Sequence, residues 1–338
     1  MKAWEIGEGF GVEHLRRVER PEPEPGPHQV VVGVRAVSLN YRDLMMVRGS
    51  YDPKQPLPLV PCSDGAGEVV AVGSDVTRVR VGDRVAGLFA QRWIDGEPTR
   101  EKLRSTLGGP RDGMLAEKVT LHEEGLVHVP EHLSDEEAAT LPCAAVTAWN
   151  ALTIHGGVTA GDAVLVQGTG GVSLFALQLA RLVGARVIAT SSRDDKLARA
   201  EALGAEAGIN YRADPGWGKR ARELTGGRGV DLVVEVGGAD TLAQSLRAVR
   251  PGGTIAVIGV LSGVKTSLAL THVLMNVVRL QGIMVGSRAS FESMNRAIAA
   301  HRMRPVVDHV YDFAEAPRAF EHLASGTQFG KLCIRMGS

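Results

Sequence analysis

The 338-residue sequence predicts an α/β protein in which an irregular, mostly β domain is joined to a doubly wound parallel sheet. Three observations carry that expectation. Residues 1–122 contain short β-like runs broken by Gly and Pro. From about His122, strands alternate with helices, the pattern of right-handed βαβ units. Residues 164–192, VLVQGTGGVSLFALQLARLVGARVIATSS, read as strand, glycine turn, helix and second strand.

In the first part, Val30–Val37, Gly67–Val72 and Arg84–Phe89 are strand candidates. Pro21–Gln29, PEPEPGPHQ, is an extended loop, because prolines remove donors and forbid helix. A helix follows near Ser134–Leu141. Strands are then expected at Ala163–Gln167, Arg186–Thr190, Ala207–Asn210, Val230–Val236 and Thr254–Gly259. Helices at Leu174–Val183, Asp195–Leu203, Trp217–Leu224 and Asp240–Val249 lie between them, and Val277–Gly286 is a candidate sixth strand. From Ala289 the pattern is helix, strand (Val306–Phe313), helix (Ala316–Leu323) and strand (Lys331–Arg335), expected to return to the first domain. The domains are therefore drawn as 1–122 with 289–338, and 123–288. Ala90–Gly113 is long, charged and unlike a regular element; it either covers the cleft or is an external excursion.

Composition narrows the function classes. Hydrophobic residues make up 44% and charged residues 22%, as in an ordinary soluble protein. Basic and acidic residues balance at 38 each and no basic stripe stands out, so nucleic acid is not an expected partner. Cys62, Cys143 and Cys333 lie far apart without metal-knuckle spacing. Nothing resembles a signal peptide or a membrane span, so no membrane association and a reducing cytoplasm are expected.

The glycine turn says most about chemistry. Gly168, Gly170 and Gly171 permit a turn that side chains would block, with Val172 opening the helix behind it. Backbone can then approach a pyrophosphate closely, and the helix start presents free N–H groups and its positive dipole end. The strand before and helix after make this the dinucleotide-binding arrangement. Its third motif position is Ser173 instead of Gly or Ala, which still permits close helix–strand packing.

Further landmarks are SLNYRDLMMVRGSY (Ser38–Tyr51), LVPCSDGAGEVVAVG (Leu59–Gly73), VGDRV (Val81–Val85), EEAATLPCAAVTAWNAL (Glu136–Leu152) and GKLCI (Gly330–Ile334). In this order and spacing, with the dinucleotide turn, the chain resembles the medium-chain dehydrogenase/reductase superfamily nearly end to end. The resemblance implies a GroES-like catalytic domain interrupted by a Rossmann domain. In the alcohol-dehydrogenase branch a catalytic zinc is held by Cys, His and a second Cys or His. Those positions correspond here to Asn40, Ser63 and Cys143, of which only Cys143 keeps a zinc-ligand type. An amide and a hydroxyl do not supply the N or S donors that catalytic zinc requires. A shifted site using Cys62 and Cys143 is the alternative, against which a cysteine in an apolar stretch is usually a small buried hydrophobe. Leu88–Arg111 contains no cysteine, so the structural zinc lobe is absent as well. The expectation is no metal, as in the zinc-free, quinone-oxidoreductase-like branch.

The residue closing the second strand separates NAD from NADP, since an acid there accepts the ribose 2′-hydroxyl bonds. Ser191, Ser192 and Arg193 occupy the place, with Lys196 one turn on, which favours NADP(H). Arg193 also reads as solvated surface, and Asp194 and Asp195 as first-turn acids of the next helix. By resemblance, Tyr211 lies near the 2′-phosphoribose. Asn40, Thr147, Gly237, Gly238, Ile258, Gly259 and Val260 line the nicotinamide, and Lys331 is a C-terminal cofactor contact. A β-edge lysine is the plainer reading of Lys331.

Without zinc, another group must stabilise the oxygen that becomes negative as hydride is accepted. Tyr51 and Asn40 are the catalytic candidates. Tyr51 resembles the proton-delivering tyrosine of enoyl-thioester reductases, and reads equally as an aromatic on the pocket rim. Asp43 reads as an anchor of its turn. The expected function is an NADPH-dependent reductase of quinones, enones or related activated carbonyls. The alternatives are an alcohol dehydrogenase with an atypical metal site and an NADPH-binding sensor without turnover. Partners are a small-molecule substrate and a second copy of the chain, paired through the apolar edge at Val277–Gly286.

Overall fold

Long-range strand pairing builds the first unit. In the computed structural model, which describes residues 1–337, Lys2–Ile6 (β1) and Leu15–Glu19 (β2) form an antiparallel pair. Gln29–Ser38 (β3), Asp64–Val72 (β4), Arg84–Gly87 (β5), Lys118–His122 (β6) and Leu126–His128 (β7) belong to a larger sheet. The unit boundary falls after Val146 and not at residue 122, because β7 pairs with β5 and residues 135–145 pack on β3 and β4.

The second unit, Thr147–Met284, contains Ala163–Gln167 (β8), Arg186–Ser191 (β9), Ala207–Asn210 (β10), Val230–Glu235 (β11), Val249–Val257 (β12) and Arg279–Gly282 (β13). All pairs are parallel, in the order β10–β9–β8–β11–β12–β13. The order reverses between β8 and β11, the switch point at which doubly wound sheets bind ligands. Val164, Leu165 and Val166 are wholly buried, as expected of a central parallel strand covered on both faces. The chain re-enters the first unit at Val285, where Val307–Asp312 (β14) and Lys331–Arg335 (β15) extend the larger sheet. That sheet runs β14–β15–β3–β4–β5–β7, with β6 also pairing on β3.

The expected strands and helices match with shifts of a few residues at most ends. β12 begins earlier than expected, at Val249, with a register shift against β11. The strands β1, β2, β6 and β7 and the helices Tyr41–Val47 and Leu270–Met275 were not anticipated. Residues 90–113 are folded onto the first unit and are not an external excursion. Ser105, Thr106 and Leu107 are buried, and Arg100–Leu103 forms a single helical turn capped by Thr99. All three cysteines are free. No helix among the described residues is long and apolar enough to cross a membrane.

Candidate active site and nucleotide cradle

In the first unit, register assembles the polar cluster. Ser38 of β3 lies opposite Cys333 of β15 on one side and Asp64 of β4 on the other. Asn40, just past β3, therefore meets Ser63, Asp64 and Lys331 from distant parts of the chain. Lys331 Nζ donates to the Leu39 carbonyl and to Asn40 Oδ1, each at 2.6 Å. Asn40 Nδ2 donates to Ser63 Oγ at 3.2 Å and the amide also bonds Asp64. Ser63 Oγ donates to Asp64 Oδ1 at 3.2 Å, and the Cys143 N–H donates to Asp64 Oδ2 at 3.1 Å. Asp43 accepts the Asn40 and Ser63 backbone N–H groups, the anchoring role its position suggested.

The cluster is buried: Ser63 and Asp64 are fully so and Lys331 is 4% exposed. Burial, reinforced by the Asp43 charge, pushes the Asp64 carboxyl up to about 7, with Lys331 pulling the other way. Burial likewise raises the Cys143 thiol, with Asp64 adding to the effect. Cys143 sits in Leu141–Ala145, a stretch wound wider than an α-helix, a distortion frequent at functional sites.

These groups do not fit a zinc held by three N or S ligands. The Asn40 amide and Ser63 hydroxyl are spent within the cluster, a buried ammonium stands among them, and one thiol remains. Cys62, in a left-handed backbone at φ 73°, is a buried thiol raised by desolvation and by the Asp43 charge. Among the described residues no three His, Cys, Asp or Glu side chains come together as a metal-holding group.

Tyr51 lies beside this cluster by way of Arg42. The Arg42 guanidinium is 4.9 Å from the Tyr51 ring centroid, a cation–π contact. It also donates to the carbonyls of Leu107, Gly108 and Gly109 at 2.8–3.1 Å, fixing the end of the 90–113 segment. Tyr51 is 44% exposed, and nothing among the described residues bonds its hydroxyl. Arg42 was not singled out from the sequence, although it lies within the Ser38–Tyr51 landmark.

The second unit holds the cradle. Gly168 has φ +69°, and a Cβ at Gly168 or Gly170 would meet nothing within 4 Å. Gly170 has an ordinary φ of −80°, so neither conformation nor packing within the chain requires glycine there. A closely approaching ligand would require it. The helix Gly171–Leu182 starts without a side-chain cap, leaving its first N–H groups for an anion. Ser173 Oγ donates to the Gln167 carbonyl at 2.6 Å, pinning helix to strand where a third glycine was expected. The group therefore fits a dinucleotide diphosphate.

At the end of β9, Ser191 is buried and its carbonyl accepts the Tyr211 N–H at 3.0 Å, bringing those two predicted residues together. Arg193 is held by Asp195 in an exposed two-point ion pair at 2.7–2.8 Å, a contact that costs little to exchange for phosphate. Asp194 is turned to Asn210 Nδ2 at 2.7 Å, and Lys196 is buried. No carboxylate closes β9 itself.

Glu235 and Gln167, at the ends of the two strands flanking the switch point, were both missed. Fully buried Glu235 accepts from Gly237 N, Gly238 N, Thr241 Oγ1, Ser245 Oγ and Gln167 Nε2. A carboxylate with that many donors rigidifies the Gly237–Gly238 turn. Those glycines are needed by the chain itself, since a Cβ at Gly238 would lie 2.8 Å from Val260 Cα. Ile258 and Gly259 are tied to the Glu235 carbonyl through their N–H groups, Val260 is partly exposed and Thr147 is buried. The only signal available for Glu235 was one acid ending an apolar strand.

The family described as alcohol dehydrogenase GroES-like domain matches residues 26–131, and that described as zinc-binding dehydrogenase matches residues 171–300. The chain is 42% identical to a zinc-type alcohol dehydrogenase-like protein of Schizosaccharomyces pombe, over 96% of each chain. A crystal structure described as a candidate alcohol dehydrogenase from Sinorhizobium meliloti has 46% identity and a TM-score of 0.93, covering 99% of this chain and 98% of that one. One described as an NAD-dependent alcohol dehydrogenase has 37% identity, a TM-score of 0.92 and full coverage of both chains, 100% each. A 2-octenoyl-CoA carboxylase reductase solved with NADP and 2-octenoyl-CoA has 26% identity and a TM-score of 0.88, covering 99% of this chain and 87% of that one.

Proposed function

This chain belongs to the medium-chain dehydrogenase/reductase superfamily of oxidoreductases, and we propose that it is a metal-free, NADP(H)-dependent reductase of quinones, enones or related activated carbonyl compounds. The observation that carries the reading is the state of Asn40 and Ser63, whose side chains are consumed by Lys331 and Asp64 and not offered to a metal. The non-acidic end of β9, where Ser191, Ser192 and Arg193 stand, supports NADP(H) over NAD(H). The glycine turn at Gly168–Gly171 and the uncapped helix start would hold the diphosphate, and Tyr211, Lys196 and Arg193 would serve the 2′-phosphate side.

The bound nicotinamide supplies the hydride. The chain's own residues orient the acceptor and supply the proton. The Tyr51 hydroxyl, unspent within the protein, donates to the developing oxyanion or enolate, while Asn40 organises the cluster and holds Lys331 in place. A donor of this kind is worth a few kcal/mol, so Tyr51→Phe is expected to lower turnover roughly a hundredfold with ring packing intact. Near-normal turnover of that variant on the best enone or quinone found would make Tyr51 pocket wall only.

A second copy of this chain is the proposed macromolecular partner. β13 is the open edge of the parallel sheet, and Leu270, Leu274, Met275 and Val277 beside it are each more than 70% exposed. Apolar side chains at an open edge favour pairing with a like edge.

A further inference from the structure

We propose that Lys331 supplies the fixed positive charge of the reaction, its buried ammonium facing the oxygen that becomes negative when the acceptor takes up hydride. The inference rests on the metal-free reductase reading and deepens it.

Lys331 is not an edge lysine, since β15 lies between β14 and β3. At 4% exposure its ammonium is desolvated, a state that persists only where acceptors and counter-charges offset the cost. The Leu39 carbonyl and Asn40 Oδ1 accept from it, and Asp64, once ionised, adds an opposite charge. An ammonium carries three N–H donors. Two are used, and the third has no acceptor among the described residues. Asn40, by contrast, has nothing left to offer an acceptor: its oxygen is filled by Lys331, and its NH2 is turned to Ser63 and Asp64. The amide is thus a positioning group, and the unspent donor of the cluster belongs to Lys331. In a dry site such a charge acts far more strongly on a developing oxyanion than it does in water.

The step balances without a metal. Hydride adds to the electron-poor carbon, and the displaced π pair moves to the carbonyl oxygen, giving an enolate or alkoxide paired with the Lys331 N–H. The proton then arrives from the Tyr51 phenol or from water, and Lys331 gives up none in the step.

The test is anion recognition by the whole protein, read by calorimetry. Wild type is expected to bind para-nitrophenolate roughly tenfold or more tightly than uncharged nitrobenzene. Lys331→Gln, which keeps a donor for the Asn40 oxygen, is expected to lose that preference, and Lys331→Arg to keep it. Turnover of Lys331→Gln is expected to fall roughly a hundredfold with affinity for NADPH unchanged. A wild type without preference for the anion overturns the inference even if the variants fail to fold. So does a Lys331→Gln variant that loses NADPH affinity while keeping turnover, which would make Lys331 a cofactor contact. Zinc at about one per chain in the purified wild type overturns the metal-free reading itself, and the inference with it; a zinc-free protein lacking the anion preference overturns the inference alone.

Discussion

Asp64→Asn is expected to make the protein more resistant to unfolding at high pH and to leave it nearly unchanged at low pH. The carboxyl moves from 3.8 in the open chain to about 7 in the fold, chiefly because it is fully buried. A carboxyl whose proton is held more tightly when folded stabilises the fold only while protonated. That contribution is present in full below about pH 4 and is lost as pH rises toward 7. At about 1.4 kcal/mol per pH unit across the window, wild type loses about 2.5 kcal/mol between pH 5 and pH 8 that an uncharged residue would not lose. Asparagine is the appropriate probe. Its oxygen can accept the Cys143 N–H, and its NH2 can donate to Ser63 Oγ once that hydroxyl rotates. Urea unfolding of both proteins at the two pH values gives the comparison, with other titrating groups cancelling in the difference. The stability gap between variant and wild type is expected to widen by about 2.5 kcal/mol from pH 5 to pH 8. An equal gap at both pH values would refute the argument that Asp64 is buried at the expense of its charge.

Three further outcomes follow from the cradle and the open edge. Ser191→Asp places a carboxylate at the end of β9 and should shift cofactor preference from NADPH toward NADH through like-charge repulsion; comparable calorimetric affinities of wild type for both cofactors would remove the basis for the NADP(H) reading. Gly170→Ala sets its methyl in open space, so the thermal midpoint should hold within about 1 °C of wild type, since no backbone strain is introduced, while cofactor affinity falls roughly tenfold through obstruction of the diphosphate; unchanged affinity would place the diphosphate elsewhere. Light scattering should give a dimer mass at micromolar concentration, reduced to the monomer by Leu274→Glu with Met275→Glu; a monomeric wild type contradicts the second-copy proposal.

The parallel sheet and its glycine turn followed from local pattern alone. Apolar strands alternating with helices leave few topologies, and the glycine turn is chemistry written in adjacent residues, so Ala163–Gln167 and Gly168–Gly171 were legible without a structure. The change of residue types at Asn40 and Ser63 was legible for the same reason, once the landmarks around them were aligned. What replaced those types was not. Lys331 and Asn40 are 291 residues apart, and Asn40 and Ser63 meet only because β3 pairs with both β15 and β4. The same holds for β7 and residues 135–145, whose pairing on β5 and packing on β3 and β4 carry the first unit to Val146, and for Arg42, which reaches the carbonyls of Leu107–Gly109 across the fold. Local pattern fixes which elements form, because period and turn chemistry act over a few residues. Burial and proton affinity depend on what strand register brings alongside, and that decided that Asp64 titrates near 7 and that Lys331 is a buried cation rather than a lysine on an edge strand.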